Sequence, residues 1–158
     1  MTTLEKIIDV YGPGLARVAA SYEADRALRE DLLQEILLAI HQSLPRLREA
    51  DKLGPYVFRI AHNRAITHVA QHANRRRHVP DAEDRAVKNQ EDSLLADEQT
   101  HRLLRAVRRL PLAYRQVITL VLEDLSYAEI AEALGLSLSN VGVRVNRAKV
   151  ILKEMLDE

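Results

Sequence analysis

The chain has 158 residues, of which 47% are apolar and 4% aromatic, with no cysteine and a formal net charge of +0. That length holds one ordinary domain or two small ones, and the lack of cysteine excludes disulfide frameworks, thiol catalysis and cysteine-based zinc or iron–sulfur sites. The neutral total conceals a pattern: residues 1–80 carry 12 Lys+Arg against 9 Asp+Glu, residues 81–99 carry 2 against 7, and residues 100–158 carry 9 against 7. Two mildly basic blocks therefore flank an acidic connector.

Ala, Leu, Arg and Glu dominate and β-branched, aromatic-rich runs are absent, so an all-α fold is expected. The opening residues MTTLEKIIDVYG mix acids with apolar residues, so no signal peptide is expected. No apolar run reaches the roughly eighteen residues of a membrane span, so no membrane insertion is expected. The absence of disulfides accords with a reducing, cytoplasmic setting.

In chain order, RALREDLLQEILLAIHQSL places Leu33, Ile36, Leu37, Ile40 and Leu44 at steps of three and four, the period of a helix buried on one face. Pro45 breaks it, and RLREADKLG reads as a loop closed by Gly54-Pro55. Pro55 suits the first turn of the next helix, which carries Val57, Ala61, Ala65, Val69 and Ala73 at four-residue steps and ends in NRRRHVP. Residues 81–99 lack an apolar stripe and read as a flexible acidic linker, helical again from about Ser93. A disordered stretch of that length reaches roughly 25 Å, enough to join two small helical domains, 1–80 and 100–158, without docking them.

The C-terminal block starts with a helix from about Leu94 to Arg109. The next begins at Pro111 and buries Tyr114, Val117, Ile118 and Val121. Ser126 to Glu129 spells S-x-x-E, the capping box of a helix start, with Ile130, Ala131 and Leu134 facing inward. Gly135 supplies the turn through its tolerance of positive φ. Ser137 caps a last helix with Val141, Val145, Ala148 and Leu152 inside. Two short helices around a glycine turn, the second one basic, outline a helix-turn-helix, whose second helix lies in the major groove. Its outward positions are Ser139, Asn140, Val143, Arg144, Asn146, Arg147 and Lys149. Asn suits adenine and Arg suits guanine, while the remaining cations suit phosphates. Gly142 costs that helix about 1 kcal/mol relative to Ala, and one use for the cost is close approach of its backbone to DNA. The plainer alternative is a helical hairpin with a solvated basic face.

Two more faces stand out. Asp31, Gln34, Glu35 and Leu38 share one helix face, suited to a basic helical partner with an apolar seam or simply to water. Arg59, Arg64, His68, His72 and Arg75 fall near one face of the long helix, extended by Arg76 and Arg77, as a phosphate-tracking stripe. Asn63, Thr67, Gln71 and Asn74 lie beside it. His68 and His72 have an H-x-x-x-H spacing that zinc can use. Arginines surround them and no acid is close, so no metal is expected and both read as DNA-facing. No Gly-rich phosphate loop or nucleophile elbow is present, so neither an enzyme nor a cofactor is expected.

The residues carry a family resemblance. LPLAYRQVITLVLEDLSYAEIAEALGLSLSNVGVRVNRAK resembles region 4 of bacterial sigma-70 family factors, above all the extracytoplasmic-function (ECF) group. Upstream, DLLQEILLAI is similar to the clamp-binding helix of region 2, and YVFRIAHNRAITHVAQHANRRR is similar to the helix that opens and reads the −10 element. The resemblance implies region 2 over 1–80, a linker over 81–99 and region 4 over 100–158. It implies core RNA polymerase as partner, through the β′ clamp helices on Asp31, Gln34, Glu35 and Leu38 and through the β flap. It further implies promoter DNA at both reading helices, an anti-sigma factor, and a pocket for a flipped base in the loop 44–54, with Tyr56 and Phe58 close by. The chain departs from the family pattern at three places: Asn140-Val141-Gly142-Val143-Arg144-Val145 stands for the usual T-V-K-S-R-L, Tyr56 for a Trp, and Thr67 for an Asp. These mark where promoter preference should differ. A LuxR-like helix-turn-helix regulator, and a degenerate sigma-like protein that binds only proteins, are the alternatives.

Overall fold

The computed structural model describes the backbone of residues 4–47, 53–78 and 98–157, with side chains at 4–46, 53–73 and 98–157. These residues form helices α1 (Leu4–Tyr22), α2 (Arg26–Gln42), α3 (Leu44–Leu47), α4 (Leu53–His78), α5 (Glu98–Arg109), α6 (Leu112–Leu122), α7 (Tyr127–Leu134) and α8 (Leu138–Leu156). No strand occurs among them, as the composition predicted. Of the expected linker 81–99 and loop 44–54, residues 81–97 and 48–52 lie outside the described residues, as does the expected helix start near Leu94, while residues 44–47, 53–54 and 98–99 are helical.

The caps expected at Ser126, Gly135 and Ser137 form, and Asp25 adds one that the sequence reading had not named. Asp25 accepts the Leu28 N–H at 3.2 Å and opens α2. Ser126 Oγ accepts the Glu129 N–H at 3.1 Å while Glu129 Oε1 accepts the Ser126 N–H at 2.9 Å, a complete capping box at α7. Gly135 ends α7 at φ 68°, ψ 36°, in the left-handed region that costs glycine nothing. Ser137 then accepts the Asn140 N–H at 3.1 Å and opens α8.

Helix α1 was not legible in the sequence, because Gly12-Pro13-Gly14 punctuates it. The helix runs through all three residues, driven by burial of Ile7, Leu15, Val18, Ala19 and Tyr22. Packing of an apolar face outweighs poor local propensity. Gly14 is also needed for its size: a Cβ there would lie 2.7 Å from Glu123 Oε1 and 3.3 Å from Phe58 Cζ. Smaller corrections concern register. The stripe of α2 is Leu32, Ile36 and Ile40, with Leu33 and Leu37 partly buried. Ala73 is exposed, since a four-residue step drifts about 40° around a helix each time.

Helices α1, α2 and α4 pack as one bundle and α5–α8 as a second. The two are not independent bodies on a tether. α4 packs on α7, and α1 packs on α5 and α6, so that Val57, Phe58, Ala61, Val117, Ile118 and Ile130 belong to one continuous core. Polar contacts close the seam. The Arg17 guanidinium donates twice to the Glu123 carboxylate, at 2.8 Å and 2.8 Å, and Arg108 Nε donates to the Ala20 carbonyl at 2.7 Å.

Candidate nucleic-acid interface

On α8, Ser139, Val143, Asn146 and Arg147 are exposed and recur at steps of three and four, so they share one stripe. Val143 is 47% exposed. Asn140 and Arg144 are half-buried at its edge and coupled, with Arg144 Nε donating to Asn140 Oδ1 at 3.2 Å. That bond leaves the terminal guanidinium nitrogens and the Asn140 amide N–H groups for other acceptors. Lys149 is exposed on another side of the helix. The sequence reading missed Val150, 58% exposed and seven residues beyond Val143, hence on the same stripe. Its spacing was the available signal. Nothing lies within 4 Å of a Cβ built at Gly142, so no contact within the chain requires the glycine.

On α4, Asn63, Arg64, Thr67 and Gln71 are exposed, and Tyr56 is 41% exposed at the start of the same face. Thr67 Oγ1 donates to the Asn63 carbonyl at 3.1 Å, which turns its hydroxyl inward along the helix. Arg59 lies over the Tyr56 ring, 5.8 Å from its centroid, and is engaged across the seam. Its Nε donates to the Ala133 carbonyl at 3.1 Å and its Nη2 to the Glu132 carbonyl, at the C-terminal end of α7.

His68 requires correction. It is buried, not DNA-facing, with Nε2 2.8 Å from Glu23 Oε1 and each side chain 3% exposed. His72 is half-buried, its ring 4.4 Å from that of His68. Helix geometry explains both: the ladder Arg64, His68, His72 rotates by about 40° per step, off the exposed face and onto the end of α1. Nothing in the local sequence announced Glu23 as the partner. Phe58 is core, at 4% exposure. The side chains of Asn74, Arg75, Arg76 and Arg77 lie outside those described.

On α2, Asp31, Gln34, Glu35 and Leu38 are all exposed, Leu38 at 56%. They make a polar, acidic face with one large apolar residue on it. Among the described residues no group of three His, Cys, Asp or Glu side chains could hold a metal ion, and no helix is long and apolar enough to cross a membrane.

A model of sigma-70 region 2 matches residues 7–75, and a model of sigma-70 region 4 matches residues 100–152. The chain belongs to the sigma-70 family, in its ECF group. Curated relatives agree. The sigma factor is 28% identical to the RNA polymerase sigma factor SigZ of Bacillus subtilis, over 98% of this chain and 87% of the relative. To the ECF RNA polymerase sigma factor SigM of the same organism it is 26% identical, over 97% and 94%. To NccH of Alcaligenes xylosoxydans xylosoxydans it is 29% identical, over 96% and 85%. Its fold matches CnrH, solved with the cytosolic domain of CnrY, at a TM-score of 0.70 and 22% identity over 98% of this chain and 87% of that one. It also matches RpoE of Bartonella quintana, solved with the anti-sigma factor NepR, at a TM-score of 0.73 and 20% identity over 97% and 96%. As a sigma factor it directs promoter-specific transcription initiation.

Proposed function

We propose that the promoter is divided between two helices, α8 reading the −35 element and α4 binding and helping to open the −10 element. In this reading residues 1–80 act as region 2 and residues 100–158 as region 4. The observation that carries it is the pair of exposed polar faces in one chain: Ser139, Asn146 and Arg147 on a capped second helix of a helix-turn-helix, and Asn63, Arg64, Thr67 and Gln71 on α4. Arg144 and the Asn140 amide are the base-reading groups, Arg147 holds a phosphate, and Val143 meets a thymine methyl. Arg59, Arg64, Arg75, Arg76 and Arg77 follow phosphates, and Tyr56 stacks on an unpaired base.

The α2 face of Asp31, Gln34, Glu35 and Leu38 docks on the β′ clamp helices of core polymerase, and region 4 reaches the β flap. Opening of DNA is driven by binding energy, and the polymerase supplies the chemistry, so the chain needs no catalytic residue or cofactor of its own. The solved relatives in complex with CnrY and NepR support an anti-sigma factor as a further partner. The site of action is the cytoplasm.

Purified chain mixed with core RNA polymerase and a panel of promoter fragments should give discrete run-off transcripts. Binding to DNA alone with no programming of the core would indicate a regulator instead. Binding to the core with no transcript on any fragment would indicate a protein-binding module.

A further inference from the structure

The seam between the two halves closes over a histidine. His62, on α4, is 1% exposed. Its Nδ1 lies 2.8 Å from the Tyr22 hydroxyl of α1, and its Nε2 lies 3.2 Å from Thr119 Oγ1 of α6. Thr119 donates its own proton to the Gln116 carbonyl at 2.9 Å. This pattern suits the neutral tautomer in which Tyr22 O–H donates to Nδ1 and Nε2–H donates to the Thr119 oxygen. Both nitrogens of a neutral imidazole are satisfied, and a second proton on Nδ1 would meet the Tyr22 donor.

Among the described residues the ring's hydrogen-bond partners are the Tyr22 and Thr119 hydroxyls and not a carboxylate. Tyr22 of α1 stands edge-on to the ring, 5.5 Å between centroids, and Arg115 of α6 covers Tyr22 at 5.5 Å, adding a positive charge. The neighbouring charged groups are engaged elsewhere. Arg17 of α1 holds Glu123 beyond α6, Glu23 holds His68, Arg59 of α4 holds carbonyls of α7, Glu129 of α7 closes its capping box, and Arg29 of α2 stands among Glu23, Asp25 and Glu30. Burial alone pushes the His62 pKa down from its ordinary 6.5 to about 3.

The docked form also conflicts with the proposed task. The −35 and −10 elements are about 25 base pairs apart, or roughly 80 Å at 34–36 Å per turn. A docked globule of this length is only roughly 40 Å across. In that form Arg59 is held by α7 rather than by a phosphate. The halves must part before both elements can be read, and parting takes Thr119 away from His62.

We propose that the contact between the two halves is an autoinhibitory clasp, locked by the neutral His62 ring and released when that ring takes up a proton. The inhibitory consequence rests on the promoter reading above, but the clasp itself does not. Burial between the halves holds the ring neutral in the closed form, and parting takes away Thr119 and admits water, which raises the ring's pKa back toward the ordinary 6.5. The open form therefore binds the proton more readily, so the closed state is favoured at higher pH and loses population as the pH falls.

The chain has no cysteine, so cysteines placed at the exposed Gln42 and Glu154 can carry a donor–acceptor dye pair on the full chain. Energy transfer should be high at about pH 7.5 and fall between about pH 6.5 and 5. In His62→Gln, which keeps a donor and an acceptor without titrating, transfer should be flat over that range. Parallel curves for the two proteins, or a wild-type curve flat at any level, overturns the proposal. Should His62→Gln lose helicity, Thr119→Val serves instead. It strips the acceptor from the second half and should lower transfer at pH 7.5 with helicity unchanged, and unchanged transfer overturns the clasp. Loss of run-off activity with the transfer curves intact would count against the promoter reading alone.

Discussion

Arg144 and Arg147 illustrate how much a residue's neighbours decide. Both are arginines on α8, yet Arg144 is half-buried and braced by Asn140 at 3.2 Å, while Arg147 is exposed. A braced guanidinium loses less freedom on binding and suits a base edge, whereas a free one suits a phosphate. Arg144→Ala should weaken binding to an upstream promoter duplex by about 1–3 kcal/mol and relax specificity at one position. Arg147→Ala should weaken it on all sequences alike and flatten its salt dependence. Neither should change affinity for core polymerase, and competition with a second sigma factor measures that. Loss of core binding would remove α8 from its assigned role. His68 teaches the converse: its type and spacing matched a DNA-facing stripe, and a drift of the helix face together with Glu23 turned it inward.

At the scale of elements, α7 and α8 were legible almost to the residue, because caps and turns are local chemistry. Ser126, Glu129, Gly135 and Ser137 each act within four residues of themselves. Ser126→Ala should cost about 1 kcal/mol in thermal or denaturant unfolding. Gly142→Ala is the more informative change. No atom lies within 4 Å of the added Cβ, so the variant should be more stable by about 0.5–1 kcal/mol. It should also lose upstream promoter affinity if the glycine serves close approach of backbone to DNA. Gain of stability with full affinity would leave Gly142 with no role at the promoter. Helix α1 shows the limit of such reading. Gly12, Pro13 and Gly14 argue locally for a break, and only the close approach of Phe58 and Glu123 explains why a glycine within a helix is useful at position 14.

At the scale of the molecule, two charge patterns have different fates. The exposed polar faces of α4 and α8 lie on separate halves that one core joins, while residues 81–99 concentrate seven acids. A polymerase channel that holds RNA must be positive, and we propose that this acidic segment lies in it as an RNA mimic. Neutralising the seven acids should weaken core binding at low salt and matter little at high salt; affinity unchanged at low salt would dismiss the idea. The pH response of the clasp belongs to this scale as well, because it requires α1, α4 and α6 together.

Composition, periodicity and capping chemistry were enough for the helical class, for most helices and for the exposed polar faces of α4 and α8, because each depends on residues within a turn or two of one another. Docking of the halves, burial of His68 on Glu23, capture of Arg59 by α7 and the enclosure of His62 between Tyr22 and Thr119 were decided by the tertiary structure. These pairs lie 40 to 74 residues apart, and no local pattern specifies which distant side chain will fill a gap. That choice is made by the packing of apolar faces, which brings polar groups together and then obliges them to find partners.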